Sequence, residues 1–253
     1  MKAISFELSG KSACFRKPDV NQFAYFTYNN IHKVALLGLL GAIIGLGGYT
    51  QLHDKNRGLK KGQLGYDDGY PEFYEKLKEL KISIAPLAPC GYFSKKIQVF
   101  NNSVGYASRE DGGNLIVREQ WLENPAWQIL ILDDGSEVYA TLKEYLLGKK
   151  SVFIPYLGKN DHPANIDKVK EVELASALKD IKISSLFIED KCEIFKGKPR
   201  GEISYYFKEI SPIRLQKDYH FYEYEKLVYT NHKIVEFAWD NIYSFENVNY
   251  FFI

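Results

Sequence analysis

Apolar and polar positions alternate with period two from Ala3 to Leu8, where Ser5 and Glu7 separate Ile4, Phe6 and Leu8, and this spacing predicts a first β-strand. A basic loop, Lys11 to Lys33, leads to VALLGLLGAIIGLGGY, Val34 to Tyr49. That stretch is shorter than the roughly 20 apolar residues a membrane span needs, and it contains five glycines, so it reads as a buried helix. Gly38, Gly41 and Gly45 fall at i, i+3 and i+7, predicting one smooth helix face that lets a backbone or sheet approach closely. Leu36, Leu40, Ile43 and Ile44 fill the core beside it.

A short helix is predicted over Pro71 to Leu80, then a strand over Ile82 to Leu87 that Pro86 and Pro89 bring to an end. A glycine-, serine- and charge-rich excursion, Tyr92 to Asn114, separates it from strands at Leu115 to Leu122 and Trp127 to Leu132, which predicts an extended hairpin with a mobile tip. Val138, Leu142, Tyr145 and Leu146 mark a helix over Glu137 to Leu147, stopped by Gly148, and Val152 to Tyr156 reads as the next strand. The order is βαββαβ. It predicts an α+β protein whose first domain, residues 1–180, is ferredoxin-like, an arrangement shared with RNA-recognition folds. Residues 181–253 form a smaller antiparallel β-rich unit, in which YHFYEYEKLVY, Tyr219 to Tyr229, mixes aromatics with charge.

With 33 basic and 32 acidic residues the chain is near neutral at +1, so whole-chain charge points to no nucleic acid. The distribution changes this picture. Met1 to Tyr66 holds nine Lys or Arg and three acids, a balance of +6 that leaves −5 for the remainder. A basic first quarter fits either a local anionic contact surface or solvated loop lysines. Cys14, Cys90 and Cys192 are far apart and odd in number, with no CxxC pair, which suits a reducing cytoplasm and gives neither a disulfide framework nor a zinc site. The N-terminus reads as a strand, not as a signal peptide. The five histidines are scattered, so no metal or cofactor is expected, and GLGGY, Gly45 to Tyr49, is a helix terminus with no GK[ST] ending. The aromatics Tyr205, Tyr206, Tyr219, Phe221, Tyr222 and Tyr224 have the chemistry for base stacking, but are assigned to a half-buried sheet or subunit interface and none of them to RNA.

Several polar groups have the chemistry to hold an anionic backbone. Arg16 and Lys17 follow the first strand, and His32 and Lys33 precede a helix whose N-terminal dipole favours phosphate. Lys95, Lys96, Arg109 and Arg118 bracket the hairpin, from which basic side chains can brace unstacked nucleotides. Gly158, Lys159, Asn160 and His162 place short polar groups after a glycine turn, although a hydrogen-bonded turn needs no ligand.

Three blocks together carry a family resemblance. Ser9 to Leu46 is similar to the N-terminal signature of the CRISPR-associated (Cas) family five, a RAMP-superfamily subunit of type I Cascade complexes. There a strand is followed by an aromatic, Arg and Pro, then a Thr-Tyr pair, then an apolar helix with repeated glycines, here Phe15, Arg16, Pro18, Thr27, Tyr28, Gly38, Gly41 and Gly45. PYLGKNDHPANI, Pro155 to Ile166, resembles the family's strand-turn motif, and Arg118 to Leu132 resembles the strand pair that carries its projecting thumb hairpin, about residues 92–118. A proline pair common before the family's helix is replaced by Ile31, His32 and Lys33.

The pattern looks most like subtype I-B. The resemblance implies a structural subunit that holds the 5′ handle of crRNA in antiviral defence, through Tyr28 and the basic and turn residues named above. Its implied partners are the Cas family seven backbone subunit and the Cascade large subunit, with target DNA met only through the complex, and no membrane. In subtype I-C the corresponding member cuts precursor RNA without metal; for that alternative Tyr49, His53 and Lys96 are available, without an adjacent Lys-His pair in the hairpin.

Overall fold

The protein is described by a computed structural model covering residues 1–18, 23–102, 109, 115–177, 182–195, 197, 201, 203–237 and 241–253. In chain order its elements are β1 (Lys2–Ser9), β2 (Ser12–Ala13), α1 (Lys33–Ile44), α2 (Tyr49–Lys55), α3 (Glu72–Leu77), β3 (Ile82–Pro86), β4 (Lys95–Asn102), β5 (Leu115–Glu123), β6 (Ala126–Leu132), α4 (Glu137–Leu147) and β7 (Asn165–Glu173). The chain continues through β8 (Ala175–Ser176), β9 (Phe187–Ile188), β10 (Cys192–Ile194), β11 (Tyr206–Leu215), β12 (Tyr222–Thr230), β13 (Ile234–Phe237), β14 (Ile242–Phe245) and β15 (Val248–Phe251). The fold is mixed α and β with mostly antiparallel sheets.

The main sheet runs β3-β6-β1-β7, each neighbouring pair antiparallel. Because β1 is central, both of its faces are buried. Ile4, Phe6 and Leu8 join the large core with Leu36, Leu37 and Leu40 of α1, while Ala3 packs with Leu130, Val172 and Phe252 on the other side. The large core also takes in Phe187, Leu227 and Phe251, so the β-rich C-terminal segments share it. They form sheets ordered β11-β12-β9, β10-β13 and β15-β14-β8, and a further sheet, β2-β5-β4, carries the predicted hairpin. Its strands pair from Lys95↔Leu122 out to Asn102↔Leu115. The expected mobile tip lies outside the described residues apart from Arg109.

One expectation needs correction. Val152 to Tyr156 is not a strand: Val152 and Phe153 donate their N–H groups to the Ile43 and Ala42 carbonyls at 2.8 and 3.1 Å, closing the C-terminal end of α1. The fourth strand of the sheet is β7, which among the described residues pairs only with β1, at the sheet edge, and is therefore largely exposed and polar in sequence. The expected helix terminus stands, since α1 ends at Ile44 with Gly45 as a left-handed C-cap, and its glycine face lets the backbone of α3 approach closely. A Cβ at Gly41 would lie 2.5 Å from the Phe73 Cβ of α3. No single described helix is long and apolar enough to cross a membrane; α1 and α2 together pass by length and composition, but they are bent 72° apart and α1 is mostly buried.

Candidate nucleic-acid interface

The loop after β1 folds back on itself and is stitched to the hairpin. Arg16 bridges Thr27, Lys17 N–H donates to the Phe26 carbonyl at 2.8 Å, and Tyr28 N–H donates to the Phe15 carbonyl at 2.9 Å. Tyr25 then pairs with β5, its N–H donating to the Arg118 carbonyl and its carbonyl accepting from Gln120, both at 2.8 Å. Two guanidinium groups are thereby tied to one short segment. That of Arg16 lies 3.4 Å above the Tyr25 ring and that of Arg118 lies 5.2 Å from the Phe23 ring, and both arginines are exposed. Stacking on a ring fixes the guanidinium plane while leaving its N–H edges in solvent, where a phosphate can be bound.

Three lysines near this loop, Lys17, Lys95 and Lys96, are already engaged. Lys17 lies 3.8 Å from Glu209 and 5.1 Å over the ring of Tyr28, which is itself buried. Lys95 lies 5.2 Å over the Tyr92 ring, and burial lowers its pKa. Lys96 lies 3.8 Å from Glu123, and Arg109 is exposed.

The N-terminus of α1 does not open to a phosphate. His32 is its N-cap, with Nδ1 accepting from Ala35 N–H at 3.1 Å and its ring set edge-on to Phe15, Tyr28 and Tyr222. Lys33 is buried and donates to the Ile253 main-chain oxygen at 3.0 Å; desolvation brings its pKa down to about 8. Burial lowers the His32 pKa to about 3, so between its usual 6.5 and that value the unfolded chain takes up a proton the folded chain refuses. Stability from this residue is complete above pH 6.5 and is lost as pH falls. We expect His32 to account for about 2 kcal/mol of destabilisation between pH 7.5 and pH 5. His32→Asn keeps a capping acceptor and should flatten urea-unfolding free energies over that range, and an undiminished slope would place the acid sensitivity elsewhere.

The turn at Gly158 to His162 supports the same loop from below. Cys14 N–H donates to the Leu157 carbonyl at 3.1 Å and Leu157 N–H to the His162 carbonyl at 2.8 Å. The Lys159 ammonium binds both oxygens of the buried Glu119 at 2.8 and 2.9 Å, and Trp121 Nε1 donates to the same carboxylate at 3.0 Å. Burial pushes the Glu119 pKa up, but the hydrogen bonds from Lys159 and Trp121 outweigh this and hold it below the usual value. His162 is buried edge-on to Trp121, with Nδ1 2.7 Å from Ser12 Oγ and Nε2 without a partner among the described residues. Asn160 is exposed.

The path of the chain is similar to that of CRISPR-associated proteins of solved structure. No family model matches it and no curated protein does, whereas 47 chains of solved structures match. A chain of a CRISPR RNA-guided surveillance complex aligns over 92% of this chain and 91% of its own, at 13% identity and a TM-score of 0.49. A CRISPR protein from Archaeoglobus fulgidus aligns over 99% and 98%, at 12% identity and a TM-score of 0.48. A Cas protein aligns over 91% and 94%, at 13% identity and a TM-score of 0.43. These are likenesses of chain path.

A cleft of about 740 Å³ runs along α1, its walls including Arg16, Gly38, Tyr49, Phe73, His220 and Tyr222. The three residues available for cleavage are not assembled in it. Tyr49 packs 5.7 Å from the His220 ring, and burial, followed by Tyr222, raises its pKa to about 12. His53 is exposed beside Asp54, and Lys96 belongs to the hairpin. Sequence reasoning passed over Phe23, Tyr25, Glu119 and Glu209. Only Glu119 left a readable signal, as a carboxylate at an inward position of β5 between Val117 and Trp121, where a buried charge requires a partner.

Proposed function

We propose that this chain is a structural RNA-binding subunit of a type I CRISPR surveillance complex, a family-five-like RAMP protein that holds the 5′ handle of crRNA. The observation that carries the reading is the pairing of Arg16, on the loop after β1, with Arg118, on β5 of the hairpin, each exposed over an aromatic ring of the segment that joins the two. Phosphates bind such forks, and unstacked bases lie against neighbouring rings. The resemblance of Ser9 to Leu46 supplies the family, and the sheet order β3-β6-β1-β7 is the one a ferredoxin-like βαββαβ domain would have. In this reading residues 1–180 form the RAMP domain and 181–253 the β-rich unit. The hairpin meets the backbone subunit, the large subunit docks nearby, and the sequence pattern looks most like subtype I-B. Lys17, Tyr28, His32, Lys33 and the Gly158 to His162 turn act here by shaping the loop, while Arg16, Arg118 and Arg109 face the guide.

Binding of a fluorescein-labelled repeat-derived RNA to the purified chain tests this. Arg16→Ala with Arg118→Ala should lower the salt dependence of log affinity by about 0.7 for each phosphate that is no longer neutralised. Lys168→Ala with Lys170→Ala, on β7, should leave it unchanged. Equal slopes for the two pairs would return the arginines to solvated charge. A discrete RNA product formed in EDTA and abolished by Tyr49→Phe would make the chain a nuclease instead.

A further inference from the structure

The connection between β11 and β12 has its side chains sorted in an unexpected way. Gln216 N–H donates to the Phe221 carbonyl at 2.8 Å and His220 N–H to the Gln216 carbonyl at 3.0 Å, closing a tight turn in which His220 takes φ 56°. That left-handed conformation is uncommon for a non-glycine residue and is kept only where the surroundings impose it. Here it turns the imidazole inward, stacked 5.1 Å from Tyr70 and lining the α1 cleft. Its Nε2 is buried without a partner among the described residues. The two neighbours are turned outward: Tyr219 and Phe221 are 69% and 68% exposed, and their rings stack on each other at 5.7 Å and 21°.

The Lys61 ammonium lies 5.3 Å over the Tyr219 ring. Among the described residues neither Lys61 nor its exposed neighbours Lys60 and Lys217 is paired with a carboxylate, whereas Lys55 and Arg57 on the same stretch are. We propose that this turn is a stacking platform for an unpaired base of single-stranded nucleic acid, whose backbone runs from Arg16 along the α1 cleft to Lys61. The proposal rests on the RNA-binding reading above and adds a second contact to it, on the C-terminal strands. Charge decides the class of occupant. Flat exposed rings alone would suit a protein partner, but ammonium groups with no carboxylate partner beside them, Lys61 held only by a 3.5 Å hydrogen bond to the Asp218 carbonyl, are complementary to a phosphate backbone, and stacking asks nothing of base identity. The cleft supplies continuity, because its walls contain both Arg16 and His220.

The test uses the full chain and a fluorescein-labelled oligoadenylate RNA of about 12 nucleotides, within the span one such site covers. Tyr219→Ala with Phe221→Ala should weaken binding about ten-fold, with the salt dependence and the melting temperature unchanged, since two exposed rings carry no core packing. Tyr219→Trp with Phe221→Trp should restore it. Lys61→Ala should instead lower the salt slope by about 0.7. Wild-type affinity in the double alanine variant, while Arg16→Ala with Arg118→Ala binds poorly, would overturn the platform and leave the guide-binding reading standing. An alanine variant that binds RNA normally but no longer co-elutes with a protein subunit would also overturn it and assign the rings to a protein contact. A wild-type chain that binds no single strand would overturn both.

Discussion

Gly158→Ala should lower the melting temperature by roughly 5–15 °C, from a cost of about 2–5 kcal/mol in a chain of this size. Two effects add. Gly158 has φ 87°, where an L side chain is disfavoured by about 1–2 kcal/mol. Its Cβ would also stand 2.1 Å from the Cys14 carbonyl oxygen, a backbone atom that cannot step aside without breaking the Cys14 to Leu157 hydrogen bond. Gly135→Ala separates the two effects. Gly135 has φ 74° with nothing within 4 Å of a new Cβ, so its substitution carries the conformational cost alone. If the two variants melt together, the turn does not press on the loop after β1, and the support described for Arg16 is wrong.

Glu209→Ala should cost about 2–4 kcal/mol although it removes a single β11 side chain. The Glu209 carboxylate accepts from Asn29 N–H at 2.9 and 3.0 Å and from Asn30 N–H at 3.4 Å, and it is the acid facing Lys17. The same two asparagines are committed elsewhere. Asn29 Nδ2 donates to the Gly91 carbonyl, and Asn30 Oδ1 accepts from Trp127 Nε1 at 3.0 Å, so removing the carboxylate strands buried amides at a point where three segments meet. Glu209→Gln keeps an acceptor and should cost much less, about 1 kcal/mol.

Burial raises the Glu209 pKa, against the pull of the Asn29 amide, Lys17 and Lys95. The folded chain therefore holds a proton the unfolded chain releases near pH 4.3, and its stability relative to the Gln variant should fall as pH rises through that window. Urea titrations at several pH values measure both. A Glu209→Ala variant within about 0.5 kcal/mol of wild type would mean that water satisfies these amides and that β11 does not anchor the loop.

How much was legible depended on the kind of signal. Alternation in β1 and helical spacing in α4 were read with correct positions, because each pattern repeats with the local period of its own element. The fourth strand was misplaced for the same reason in reverse. VFIPY is apolar enough to imitate a buried strand but serves to close α1, while NIDKVKEVE is an edge strand whose side chains meet solvent. In the candidate interface, composition could mark Arg16 and Arg118 as basic, but it could not tell them from Lys159, whose ammonium is held by a carboxylate 40 residues away in the chain.

The elements whose periodicity is local, the helix stop at Gly45 and the basic character of the first quarter of the chain can all be read along the sequence. Which cations lack a carboxylate partner among the described residues depends on long-range packing. Tyr25 joins β5, Glu209 reaches Asn29 across 180 residues, and His220 turns into the cleft while Tyr219 and Phe221 turn out. Each of these outcomes depends on which buried amide or charge finds a partner. That pairing is set by distance in space once the core has closed, and spacing along the chain does not encode it.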